Sequence, residues 1–109
     1  FRFSKIGGEM VPHVRVEEEL QALTGPEGCV VTAVPDEHKG ERLVVLHTRA
    51  DLGPEALWEH LNKSGLPRLW IPRKEHMFLV EAFPVLGTGK LDLREIKRVA
   101  MQRTGIREQ

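Results

Sequence analysis

The chain has 109 residues, 40% hydrophobic and 29% charged, an ordinary composition for one globular domain. Sixteen basic residues balance sixteen acidic ones, and the resulting net charge of zero excludes a global pull toward nucleic acid or an anionic membrane. No apolar run approaches the roughly 18 residues of a membrane span, no signal-peptide core opens the chain, and the single Cys29 excludes an internal disulfide and fits a reducing, cytoplasmic setting.

Residues 1–11 alternate weakly around Gly7-Gly8 and predict a ribbon of two strands joined by a glycine turn. Pro12 suits the first turn of a helix, and Val16, Leu20 and Leu23 follow at i, i+4 and i+7 until Gly25-Pro26 stops it. Glu17-Glu18-Glu19 reads as a solvated helix face, in the N-terminal half where carboxylates favour the dipole. Residues 29–34 are a β-branched apolar run and predict a buried strand with Cys29 in the core. A polar connection over 35–41 leads to a second strand over 42–48, forming a hairpin with a long loop. A helix follows from Pro54, with Leu57, Trp58 and Leu61 as its apolar stripe and Gly65 as its stop. Residues 66–72 are too proline-bracketed for a helix of any length. A third strand is predicted over 77–80 and a last helix over 93–102, with Leu93, Ile96, Val99 and Ala100 on one face. The tail from 106 to 109 reads as frayed. The expected fold is α+β: a small three-stranded, mostly antiparallel sheet with packed helices, preceded by a short β-ribbon.

The stretch richest in chemistry is Pro84-Val85-Leu86-Gly87-Thr88-Gly89-Lys90-Leu91-Asp92-Leu93-Arg94. Gly87 and Gly89 permit backbone with positive φ and hence a tight exposed loop, and Thr88 is placed to bond the loop backbone. Asp92 is a natural helix N-cap with Glu95 at capping-box spacing, and Leu91 and Ile96 occupy hydrophobic-staple positions. Lys90 therefore projects between a glycine loop and a firmly started helix. It is not a Walker A loop, because Pro84 stands where the first glycine belongs and Leu91 follows the lysine. On spacing alone the stretch reads as a surface turn with a solvent-facing lysine.

Other chemistries lack their signatures. His13, His38, His47, His60 and His76 are scattered without ligand spacing, so no metal site is expected. There is no Gly-x-Ser-x-Gly elbow, and Cys29 sits in an apolar strand, where it reads as core and not as a nucleophile. The chain begins abruptly in a structured-looking segment without Met and reads as a piece of a longer protein.

Three segments, in order, resemble one family. Arg2-Phe3-Ser4-Lys5-Ile6-Gly7-Gly8-Glu9-Met10-Val11-Pro12 is similar to the segment after the hinge of adenylate-forming enzymes. Val30-Val31-Thr32-Ala33-Val34-Pro35-Asp36-Glu37 with Gly40-Glu41 resembles the strand and Pro-Asp-Glu turn of their C-terminal domain. Pro84 through Leu93 resembles its closing Gly-Lys segment. The Gly-Thr-Gly-Lys-Leu-Asp-Leu wording is most similar to acyl–acyl-carrier-protein synthetases, including the synthetase part of 2-acylglycerophosphoethanolamine acyltransferases. One departure is Phe1, which stands where the family commonly has a hinge Asp or Lys.

The resemblance implies that residues 1–109 are the C-terminal lid of an AMP-forming acid–thiol ligase, with residues 1–11 as the ribbon after the hinge and 84–92 as the catalytic lysine loop. An N-terminal adenylation domain would bind ATP with Mg and a fatty acid. The acceptor would be the phosphopantetheine thiol of an acyl carrier protein, with coenzyme A as the alternative, and the pathway a fatty acid or lysophospholipid one. It further implies that Lys90, carried by Gly87, Thr88 and Gly89, enters the active site for adenylation. Lys5, Gly7, Gly8 and Glu9 would line the pantetheine path. Arg68, Arg73 and Lys74 are candidates to meet an acidic carrier protein. A non-catalytic, stand-alone binding module is the reading from a different class.

Overall fold

The computed structural model describes residues 2–107. Strands β1 (Phe3–Ile6) and β2 (Glu9–Pro12) precede helix α1 (His13–Thr24). Then come β3 (Cys29–Asp36), β4 (Gly40–His47), helix α2 (Pro54–Asn62), strand β5 (Met77–Leu79) and helix α3 (Leu93–Thr104). The α+β class is as the sequence predicts. The sheet is larger than expected, because the ribbon is part of it: five strands run in the order β2-β1-β4-β3, with β5 also on β4. Antiparallel pairs dominate, and among the described residues only β4–β5 is parallel.

The near-continuous apolar run of β3 has a simple cause: both of its faces are covered. Val31, Ala33, Leu43 and Val45 pack with Val16, Leu20, Leu57 and Leu61 beneath α1 and α2. By strand alternation, Val30, Val34, Val44 and Leu46 face the other way and pack with Ile96 and Ala100 of α3.

Several local expectations are corrected. The β3–β4 connection is short, with Asp36 opposite Gly40 and only residues 37–39 between them. Asp36 Oδ1 accepts from the backbone N–H of His38 at 2.8 Å, and Gly40 takes φ +86°, so turn residues here extend the strands instead of forming a long loop. Residues 66–76 hold two single 3₁₀ turns, Arg68–Trp70 between Pro67 and Pro72 and Lys74–His76 after Pro72. Ile106 is not frayed, since it packs against the α3 core, while residues 108 and 109 lie outside the described range. Leu93, expected on the buried face of α3, is 43% exposed.

The acidic run of α1 is not uniformly solvated. Glu17 is buried, on the inward line of His13, Leu20 and Thr24, while Glu18 stays exposed. Arg2 donates to its two carboxylate oxygens at 2.8 and 2.6 Å. The backbone N–H of Val31 adds a third bond to Glu17 at 2.7 Å, and Arg2 also donates to the Val31 carbonyl at 2.9 Å. A buried carboxylate persists because it is paired and fully hydrogen-bonded. The i, i+4, i+7, i+11 spacing of His13, Glu17, Leu20 and Thr24 was the available sign.

Candidate functional site

Two tips of the domain carry the residues singled out in the sequence. The first is the β1–β2 ribbon. Its register pairs Lys5 with Met10 and Ile6 with Glu9, leaving Gly7 and Gly8 as a two-residue turn. Both glycines have positive φ, +56° and +90°, the requirement of a type I′ hairpin turn. Alternation gives the ribbon one inner face, Ser4, Ile6 and Val11, and one outer face bearing Phe3, Lys5 and Met10. The β1 edge and the inner face are tied down. Gly7 N–H donates to the Lys39 carbonyl at 2.9 Å, and Lys5 N–H to the Glu41 carboxylate at 2.7 Å. Ser4 Oγ and His13 Nε2 lie 2.6 Å apart. Burial, followed by the charge of Arg2, pushes the His13 imidazole below its ordinary pKa.

The second tip is a finger over residues 84–92. Val85 and Leu91 form an antiparallel bridge. It is framed by Asp92 N–H to the Pro84 carbonyl at 2.9 Å and Leu86 N–H to the Lys90 carbonyl at 2.7 Å. Gly89 N–H closes the turn on the Leu86 carbonyl at 2.9 Å. Of the two glycines, only Gly89 (φ +88°) uses the left-handed region, so Gly87 does not serve as expected. Thr88 is exposed, and no bond of its hydroxyl to the loop occurs among the described residues. Asp92 caps α3, accepting from Glu95 N–H at 3.1 Å. The return half of a capping box is missing because the Glu95 carboxylate turns to Arg98 at 2.6 Å. Leu91 stays exposed at 36% instead of being covered as a staple. Lys90 is exposed, and among the described residues its ammonium has no hydrogen-bond or ion-pair partner.

The remaining candidates divide. Arg68 and Arg73 are exposed, but Lys74 is engaged within the fold, 3.2 Å from Glu55 and 5.3 Å from the Trp58 ring centroid. Burial pushes the Cys29 thiol up, which disfavours the thiolate. Among the described residues no group of three or more His, Cys, Asp or Glu side chains is placed to hold a metal ion. Among the described residues no helix is long and apolar enough to cross a membrane. Sequence reasoning missed the Arg2–Glu17 clamp and a second cluster, where Arg42 Nε is 3.1 Å from Asp36 and its Nη1 3.3 Å from His76 Nε2.

No family model matches the chain. Sequence relatives do. The 2,3-dihydroxybenzoate-AMP ligase of Bacillus subtilis is 30% identical over 99 residues, which are 89% of this chain and 18% of that protein. Pyochelin synthase PchD of Pseudomonas aeruginosa is 31% identical over 93 residues, 84% of this chain and 17% of its own length. Among solved structures, the amide bond synthetase McbA from Marinactinospora thermotolerans superposes with a TM-score of 0.75 at 26% identity, over 89% of this chain and 20% of that one. The chain is similar, in sequence and in fold, to the C-terminal domain of the adenylate-forming, AMP-binding superfamily. It spans less than a fifth of the length of the curated relatives it matches. In this chain the ribbon brings Lys5, Gly7, Gly8 and Glu9 to one tip, and the finger brings Gly87, Thr88, Gly89 and Lys90 to another.

Proposed function

We propose that this domain is the mobile lid of an AMP-forming acid–thiol ligase and that Lys90 is its catalytic residue. In the first half-reaction a carboxylate oxygen attacks the α-phosphorus of ATP, and pyrophosphate leaves. Two anions must meet, and charge shifts onto oxygens as they do. A positioned ammonium offsets that repulsion without reorganising at the moment of reaction. In the second half-reaction a thiol attacks the acyl carbonyl and AMP leaves. The ribbon tip suits this step because Gly7 and Gly8 let backbone approach a thin pantetheine arm closely. ATP, its magnesium and the acid are assigned to the larger adenylation domain of the same polypeptide.

The observation that carries the reading is Lys90 itself, an exposed ammonium without a partner among the described residues, at the end of a hydrogen-bonded finger. The finer assignment is a fatty acid passed to an acyl carrier protein, with lysophospholipid reacylation as its use, and it is supported by the Gly-Thr-Gly-Lys-Leu-Asp-Leu wording. Exposed Arg68 and Arg73 suit an acidic carrier. A second reading, an aromatic acid as substrate, is favoured by the relative named as a 2,3-dihydroxybenzoate-AMP ligase.

The test is Lys90→Ala in the full-length enzyme. Acid-dependent ATP–pyrophosphate exchange should fall by a factor on the order of 10²–10³, with thiol transfer from a supplied acyl-adenylate retained. Exchange at the unsubstituted rate would remove Lys90 from the chemistry. Palmitate and 2,3-dihydroxybenzoate, assayed side by side, separate the two substrate readings.

A further inference from the structure

Among the described residues eight large hydrophobic side chains are conspicuously exposed, and four of them flank Lys90: Val85 (60%), Leu86 (47%), Leu91 (36%) and Leu93 (43%). A solvated surface turn has no use for four aliphatic side chains within nine residues, and such clustering marks a surface that is covered in the working protein. The domain's own core does not need them. Phe83 before the finger and Ile96 after it pack in the α3 cluster, whereas these four side chains do not belong to it.

The bridge geometry decides the shape of what covers them. Val85 and Leu91 are cross-strand partners and share one face of the finger. Leu86 and Lys90 stand at the next position and, by alternation, take the opposite face. Apolar surface on both faces fits insertion between two walls and not docking on a flat surface. The matched relatives are more than five times longer than the aligned segment, so an occupant of the required size belongs to the same type of polypeptide.

We propose that the finger is an apolar plug. Val85, Leu86 and Leu91 enter the acid-binding cleft of the large domain together with Lys90, and Leu93 seals its mouth. These are positioning residues. Their burial expels water from around the ammonium, so its field reaches the carboxylate and phosphate less screened. The inference rests on the lid reading above and adds that closure for adenylation is driven by the finger's flanks. The ribbon serves as the contrasting surface: Met10 (58% exposed) lies on its single outer face, beside Lys5, and Val14 (45%) is exposed in the first turn of α1.

The experiment uses the full-length enzyme carrying Leu86→Ser, Leu91→Ser, Leu86→Met, Met10→Ser or Lys90→Ala. Adenylation is read as ATP–pyrophosphate exchange with palmitate or 2,3-dihydroxybenzoate, whichever the unsubstituted enzyme activates. Thiol transfer is read from the matching synthetic acyl-adenylate. Each serine variant of the finger should lose about tenfold in exchange, with transfer retained. Leu86→Met should restore exchange, and Met10→Ser should show the reverse split. Exchange at full rate in both finger variants, while Lys90→Ala abolishes it, overturns the plug and leaves the lid reading standing. Full exchange in Lys90→Ala overturns the lid reading itself. Equal loss of both half-reactions in the finger variants also overturns the plug, since it reports damage to the fold.

Discussion

The ribbon and the finger are both hairpins ending in glycine and bearing one lysine, yet they are built on opposite plans. The ribbon has a single outward face and is bonded to the body along its β1 edge, through Lys39 and Glu41, and on its inner face, through His13. The finger's turn and bridge bonds close on itself and on Asp92, the cap of α3, and its exposed side chains lie on both faces. The difference teaches that a hairpin's sidedness states what it meets: a one-faced hairpin lies against a surface, and a two-faced one goes into something.

The comparison breaks or sharpens in a graded series. Lys90→Ala should produce the largest effect, the 10²–10³-fold loss of pyrophosphate exchange. Because this side chain is exposed and unpartnered among the described residues, the urea midpoint should not move. Arg2→Met should do the converse at the ribbon. It strands the buried Glu17 carboxylate, so unfolding free energy should drop by about 3 kcal/mol, measured by urea titration. An unchanged midpoint would show that the clamp at 2.6 Å contributes nothing. Gly8→Leu should be smaller, about 1 kcal/mol of strain at a residue held in left-handed backbone, with thiol transfer slowed more than adenylation. Equal slowing would count against a separate role for the ribbon. The smallest effect is a pH dependence. His13, His47 and His76 all have pKa values lowered from 6.5, burial being the first cause in each. The unfolded chain then binds protons more readily than the folded one. Stability is fully present above pH 6.5 and falls as pH drops through the depressed folded values. Urea midpoints at about pH 7.5 and about pH 5 test this. The finger has no histidine, so pyrophosphate exchange per folded molecule should not follow the same curve.

Element types were largely legible because each is set locally. Val16 and Leu20 announce α1, the run from Cys29 to Val34 announces a buried strand, and Asp92 announces the start of α3. The membership of the ribbon in the main sheet was not legible. It depends on contacts of high sequence separation, Ile6 opposite Gly40 with the Gly7–Lys39 and Lys5–Glu41 bonds beside it, which no periodicity encodes. Glu17 was misread for a related reason: its partner Arg2 is distant in sequence, and an acidic triplet resembles solvated charge until that partner arrives. Within the finger, the glycine pair suggested two left-handed residues. One suffices, because the Leu86–Gly89 bond completes the turn with Gly87 in ordinary backbone.

The stitching of the finger also sets a clock. A loose glycine loop samples positions in nanoseconds to microseconds, but this one is laced across its base and followed at once by a capped helix whose Ile96 is wholly buried. Under the proposed cycle the amine has little travel of its own and goes where the whole domain goes. The rhythm of catalysis would then be that of a rigid body turning on its tether, in microseconds to milliseconds.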